Sequence, residues 1–246
     1  MLNMLVVEDN FYYSMCLINI VVEKIPQIRL CKIATNGEEA LEYLKNSNNI
    51  DIVLLDLGLP KLNGLEIIKQ LEENNYKKYE NSIIVISGDA QLVKYVIGNP
   101  FLYTYISKGM GLDKVLSEID KLSKIKQNEI RQNNILQLIN NELRTLGYKE
   151  NLIGTKYLRE TINLIATTDL TSDNLKNKVY PIIARRHNKS VHNIKCNINN
   201  ATEMMNCTCK KEIIRKYFVF FDDNSVATPK QVIDTILTKI GNHNHP

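Results

Sequence analysis

Three carboxylates, a hydroxyl and an ammonium stand at the ends of apolar runs in the first half of this 246-residue chain. The run MLVV (4–7) is followed by Glu8 and Asp9, and DIVLL (51–55) by Asp56. SIIVIS (82–87) ends in Ser87, with Gly88 and Asp89 behind it, and LYTYIS (102–107) is followed by Lys108. A charge at the lip of an apolar element is unfavourable unless something pairs with it. If the runs lie side by side, the carboxylates repel one another unless a cation sits among them. Oxygen donors that leave positions open for water and phosphate suit Mg²⁺ better than a soft metal. Asp56 is then placed as a nucleophile for a phosphoryl group, whose oxygens such a metal neutralises.

Those residues need a scaffold that brings the run ends together. The four runs and a fifth, IRLCKIA (28–34), read as strands, and helical patterns lie between and after them at 11–24, 37–46, 64–74, 89–96 and 111–124. Continuous apolar strands separated by helices predict an α/β, doubly wound, five-stranded parallel sheet covered on both faces. In such sheets ligands bind outside the carboxyl ends of the strands, near the switch in strand order. All five chemistry-bearing residues fall on that rim.

The set VVEDN, LLDLGLP..NGLE, IIVISGD and YISKG resembles the receiver domain of two-component response regulators, a flavodoxin-like fold, over about residues 1–125. The resemblance implies Asp56 as phosphoacceptor. It implies Mg²⁺ held by Asp9, Asp56 and the carbonyl of Gly58, with Glu8 helping through water. Lys108 would pair with the phosphate, Ser87 would hydrogen-bond it, and Tyr105 would be the aromatic that swings inward on activation. One departure is Gly109, where the family usually has proline after the lysine. A phosphatase of the haloacid dehalogenase type also uses an aspartyl nucleophile. It needs a second aspartate two residues later, where this chain has Gly58, and that reading fails.

The chain carries a formal charge of +4, split into −3 over residues 1–125 and +7 over 126–246. An acidic half joined to a basic half suggests two domains with different partners, the basic one within reach of a polyanion. Five cysteines at irregular spacing argue for reduced thiols in a cytoplasm. No apolar run approaches the roughly 18 residues of a membrane span, and MLNMLVVED goes straight into a strand pattern without a signal-peptide plan. A soluble cytoplasmic protein is expected. Residues 126–136 are expected as a linker between a receiver (1–125) and a second domain (137–246). The polar stretch SKIKQNEIRQNN (123–134) fits either a linker or a solvated helix that carries the last receiver helix onward.

The second half reads as all-α, with helices at 134–147, 154–168, 172–188, 190–205 and 231–240. Tyr217 to Phe221 is an aromatic run too short to assign to a turn or a strand. One helix ends at Arg185-Arg186-His187-Asn188, and Ser190 offers an N-cap for the next. Val191, Ile194, Ile198, Ala201 and Met205 form a buried stripe that leaves His192, Asn193, Lys195, Cys196, Asn199 and Asn200 outward. Two helices about a tight polar turn make a helix-turn-helix plan. Arg185, Arg186, Lys189 and Lys195 would anchor phosphates without selecting sequence. Cys207-Thr-Cys209 and the terminal His243-Asn-His245 carry no assigned role.

LGYKENLIGTKYLRETI (146–162), KVYPIIARRHNKS (178–190) and the IxxxIxxAxE frame (194–203) resemble the DNA-binding effector domain of the stage-zero sporulation response regulator of endospore-forming bacteria. That family's reading helix carries Glu-Arg and Arg-His where this chain has Lys195-Cys196 and Asn199-Asn200, and an arginine where it has Asn193. Asparagine pairs with adenine where arginine reads guanine, so a target richer in A·T is expected. The whole reads as a phosphorylation-controlled transcription regulator of a two-component or phosphorelay system. It is expected to take phosphate from a histidine kinase or phosphotransferase, to pair as a homodimer when phosphorylated, and to catalyse nothing beyond its own phosphoryl transfer and dephosphorylation. The alternative is a signalling protein whose helical domain docks a protein instead of DNA.

Overall fold

Apolar runs of five to seven residues form the sheet. The computed structural model describes residues 1–47, 49–218 and 225–243. Strands β1 (Leu2–Val7), β2 (Ile28–Ala34), β3 (Ile52–Asp56), β4 (Ile83–Ser87) and β5 (Leu102–Ser107) are all parallel, in the order β2-β1-β3-β4-β5. Side chains alternate across the sheet. Leu5, Val7, Val53, Leu55 and Val85 face α2 (Gly37–Asn46), α3 (Gly64–Glu73) and α4 (Ala90–Val93). Met4, Val6, Ile52, Leu54, Ile84 and Ile86 face α1 (Phe11–Lys24) and α5 (Leu112–Thr145). Both faces are therefore dry, which explains why the strands are apolar without interruption. The strand order reverses between β1 and β3, so the crevice at that switch opens beside Glu8 and Asp56.

The chain divides into two compact units, Met1–Glu129 and Ile130–Pro246. Helix α5 runs without a break through residues 126–136, the segment expected as a linker. Leu116, Ile119 and Leu122 belong to the first core, and Ile135, Ile139 and Leu143 to the second. Lys126 packs on the first unit: it is 9% exposed and donates to the Glu80 carbonyl at 3.2 Å.

The second unit is helical: α6 (Ile153–Ala166), α7 (Tyr180–Arg186), α8 (Val191–Thr208), α9 (Lys211–Tyr217) and α10 (Pro229–His243) follow α5. Its core joins Leu158 and Ile162 of α6 to Ile183, Ile194, Ile198, Met205, Val232 and Ile236. The stretch expected as one helix at 172–188 is three pieces, a 3₁₀ turn (Ser172–Asn174), a π-helical turn (Leu175–Val179) and α7. Pro181 is the cause, because proline lacks the amide that a continuous α-helix would need there and its ring crowds the preceding turn. The pattern expected as a helix at 89–96 is cut to Ala90–Val93. Of the aromatic run, residues 219–221 lie outside the described residues, as does most of the terminal histidine motif.

Candidate functional site

On the rim, Asp56 and Glu8 are 6% and 5% exposed, and one cation serves both. Lys108 Nζ lies 2.8 Å from Asp56 Oδ2 and 2.9 Å from Glu8 Oε2. The other Asp56 oxygen, Oδ1, accepts the Gly58 amide at 3.0 Å. Burial raises the Glu8 carboxyl above its ordinary value, with the Asp56 charge adding to it and Lys108 opposing. Burial alone would lower the Lys108 ammonium, but hydrogen bonds to Asp56 and Glu8 outweigh it and raise the group. Both carboxylates therefore hold the lysine charged between them.

Local sequence sets this geometry. Glu8 follows β1, and its backbone N–H donates to Ala34 of β2 at 3.0 Å. Asn10 caps α1 by accepting from Tyr13 N at 3.0 Å, which turns the chain away after Asp9. Beyond Asp56, Asn63 and Glu66 form a capping box at the start of α3. Gly64 is required there: a Cβ would lie 2.6 Å from the Asp56 carbonyl oxygen. The close approach ties α3 to the end of β3, which carries Asp56. Glu8, Asp9 and Asp56 each offer a carboxylate oxygen, all within 4.8 Å of one another. This set of hard donors is the sole such cluster among the described residues, and it fits a divalent cation of the Mg²⁺ kind.

Ser87 is 2% exposed and its Oγ accepts from Asp89 N at 3.2 Å. Tyr105 is half-buried against the core on the α2–α3–α4 side. Neither makes a hydrogen bond to Asp56, Glu8 or Lys108. Sequence reasoning missed Tyr13, whose ring centre lies 6.0 Å from Lys108 Nζ. Its position one turn into α1, four residues after Asp9, was the available signal.

In the second unit α7 and α8 meet about a tight turn. Asn188 has φ 50°, a conformation asparagine tolerates, and Lys189 N donates back to Ala184 O at 2.9 Å. Ser190 caps α8, accepting from Asn193 N at 3.1 Å. His187, in the turn, pairs with Glu160 at 2.8 Å and packs on Tyr157. Gly154 lets α6 seat against α8, because a Cβ would lie 1.9 Å from the Asn197 carbonyl oxygen. Ile194, Ile198, Ala201 and Met205 are buried. Val191, expected with them, is 38% exposed at the helix start.

Arg185, Arg186, Lys189, Ser190, His192, Asn193, Lys195 and Asn200 are exposed, whereas Cys196 and Asn199 are half-buried. Cys196 Sγ lies 3.4 Å from His192 Nε2, and Asn193 Oδ1 accepts from Asn197 Nδ2 at 3.2 Å. Two exposed helices about a capped turn, with cations on the turn and amides on the second helix, can present side chains to a DNA groove.

Residues 4–120 match the family described as response regulator receiver domain, and residues 139–240 match sporulation initiation factor Spo0A C terminal. The chain is a response regulator. Its two domains make it a phosphorylation-controlled transcriptional regulator, and they favour DNA over a docked protein as the effector's partner. A probable C4-dicarboxylate response regulator of Bacillus subtilis (strain 168) is 31% identical over 102 residues, 41% of this response regulator and 43% of the relative. The transcriptional regulatory protein DltR of Streptococcus agalactiae serotype III is 29% identical over 183 residues, 70% of this chain and 79% of the relative. A protein-glutamate methylesterase/protein-glutamine glutaminase of Nitrosospira multiformis is 35% identical over 88 residues, 36% of this chain and 23% of its own length. Among solved structures, a receiver domain protein from Methanospirillum hungatei JF-1 is 17% identical with a TM-score of 0.45, covering 52% of this chain and 98% of that one. No helix among the described residues is long and apolar enough to cross a membrane.

Proposed function

We propose that Asp56 accepts a phosphoryl group from a phosphohistidine of a kinase or phosphotransferase, and that this controls DNA binding by residues 137–246 in the cytoplasm. The observation that carries the reading is Lys108 held between Asp56 and Glu8 on the rim. An Asp56 carboxylate oxygen attacks phosphorus as the bond to the donor nitrogen breaks, and the electron pair leaves with the imidazole. Lys108 then follows the new negative charge, exchanging a carboxylate partner for a phosphoryl oxygen. The Ser87 hydroxyl is available as a second donor, and Tyr105 can move toward the space that Ser87 vacates. Asp9, Asp56 and the Gly58 carbonyl would hold Mg²⁺, with Glu8 helping through water, and the ion would supply charge neutralisation for the transferring oxygens.

The change on the rim biases how receivers pair, and a phosphorylated homodimer brings two reading helices to paired half-sites. Arg185, Arg186, Lys189 and Lys195 anchor phosphates, with Ser190, His192, Asn193, Cys196, Asn199 and Asn200 near the bases. The regulator is proposed to perform no catalysis beyond its own phosphoryl transfer and dephosphorylation. Incubation with Mg²⁺ and a small phosphodonor tests the site: acyl phosphate is expected on Asp56 and is lost in Asp56→Asn. Binding to genomic fragments at two salt concentrations tests the output, because DNA binding through phosphates weakens steeply with salt.

A further inference from the structure

A cleft of ≈ 440 Å³ opens beside α8 in the second unit. Its walls come from the 172–180 segment, from Lys195 and Asn199 on one flank of α8, and from the start of α10. Lys176, Lys195 and Lys230 all line it. Its one carboxylate, Asp173, is tied to Lys230 at 2.6 Å. Lys176 and Lys195 have no ion pair among the described residues. Two uncompensated ammonium groups on one concave surface favour an anion.

The floor points to a ligand as well. Tyr180 is 5% exposed and lines the cleft, and no hydrogen bond joins its hydroxyl to another described residue, which leaves the hydroxyl free to meet a ligand. The Asn177 and Asn199 amides, also in the lining, are likewise unpartnered. Leu175 is 7% exposed and Pro229 half-buried, so the floor is partly apolar. The π-helical turn at Leu175–Val179 brings Leu175, Lys176 and Asn177 to the cleft, and such turns occur frequently at functional sites. A cleft of this volume falls in the range of small-molecule sites, about 300–1,000 Å³. A duplex presents its phosphates on a convex surface, whereas a small ligand can enter a concave one.

We infer that this cleft binds a small phosphorylated ligand of nucleoside-monophosphate size, with its phosphate between Lys176 and Lys195 and its flat portion against Leu175 and Tyr180. Because Lys195 is also an anchor for DNA, the bound ligand opposes DNA binding and gives the regulator a second input besides Asp56. That last step rests on the DNA-binding reading; the occupancy of the cleft does not.

Calorimetry on the full chain with adenosine 5′-monophosphate, adenosine and inorganic phosphate tests it. The monophosphate is expected to bind, adenosine not to bind, and inorganic phosphate to bind more weakly. Lys176→Gln should weaken the monophosphate about tenfold or more, and Tyr180→Phe roughly threefold, with thermal melting unchanged in both. No binding of the monophosphate, or binding indifferent to both substitutions, overturns the site. Equal binding of phosphate and monophosphate overturns the ligand class. If Lys176→Gln weakens DNA while no small ligand binds, the cleft is a seat for the DNA backbone and the inference fails. Monophosphate binding that leaves DNA affinity unchanged would overturn the second input and leave the cleft standing, whereas a chain that binds the monophosphate but no DNA would sink the DNA-binding reading alone.

Discussion

On the receiver rim, Lys108 lies within 3 Å of two carboxylates that are 5% and 6% exposed. On the turn and reading helix, Arg185, Arg186, Lys189 and Lys195 stand exposed with no ion pair among the described residues. The rim is assembled before any partner arrives, because strand ends deliver each group to one crevice. The helical surface meets its complementary charges only in the partner. Substitutions on the rim should therefore act as switches, and those on the helix should act by degrees.

The largest effect is expected at Asp56. Asp56→Asn should abolish acyl-phosphate labelling, and chelating divalent cations should do the same to the wild type. Undiminished labelling of the variant would move the acceptor elsewhere and erase the contrast. Lys108→Ala comes next. It leaves two poorly exposed carboxylates facing each other without their cation, which destabilises the receiver by about 1–3 kcal/mol. Lys108 is itself about one-third exposed, so the lower end is expected. Adding Mg²⁺ should raise the melting temperature of Lys108→Ala more than that of the wild type. Equal shifts would show that the rim does not depend on its lysine for charge balance.

Much of the rim was legible because its elements follow one rule. Strands dry on both faces are continuous in sequence, so their ends fall within a residue or two of the apolar runs, and the groups just beyond them share an edge. What sequence did not carry was the pairing: nothing in YISKG says that Lys108 bridges to Glu8 as well as Asp56. The helical unit was less legible where local chemistry overrides periodicity. Pro181 breaks the 172–188 pattern, and residues 91–96 bury only Val93 and Val96, too little apolar surface to hold a longer helix than α4. Helix α9 escaped notice because KEIIRKY is short, with Ile213 and Ile214 only partly buried, and its buried Tyr217 was read as the start of an aromatic run. The outward set on α8 was read as one face. Its curvature around the helix, with Lys195 and Asn199 turned to a cleft, depends on neighbours far along the chain.

A moderate effect is expected at Arg186. It is exposed at the end of α7, beside the turn, and is proposed to anchor a phosphate. Arg186→Ala should weaken all DNA sequences alike and reduce the slope of log affinity against log salt by about one. Loss confined to one sequence would mean that Arg186 reads a base, and the anchoring role would be wrong.

The smallest effect is expected at Asn199, and it tests which side of α8 meets DNA. A bidentate asparagine–adenine pair discriminates by about 1–3 kcal/mol, but only if both amide atoms face the groove. At 100° per residue, Asn199 and Asn200 lie on opposite flanks of the stripe formed by the buried Ile194, Ile198, Ala201 and Met205, each about 130° from its centre, so the surroundings of each decide. Asn200 is exposed, while Asn199 is half-buried among the lining of the cleft. Asn199→Ala should then change base preference by under about 1 kcal/mol, and Asn200→Ala should relax one adenine position by the full pair. Selection from a random DNA library with each variant measures both, and the wild-type motif should be richer in A·T than in G·C. If Asn199→Ala erases an adenine position and Asn200→Ala erases none, α8 enters the groove by its flank and DNA fills the cleft. A guanine-rich wild-type motif would show instead that the amides are spectators and that the exposed arginines read bases. The contrast between an assembled rim and an incomplete helical surface would then have to be redrawn around Arg185 and Arg186.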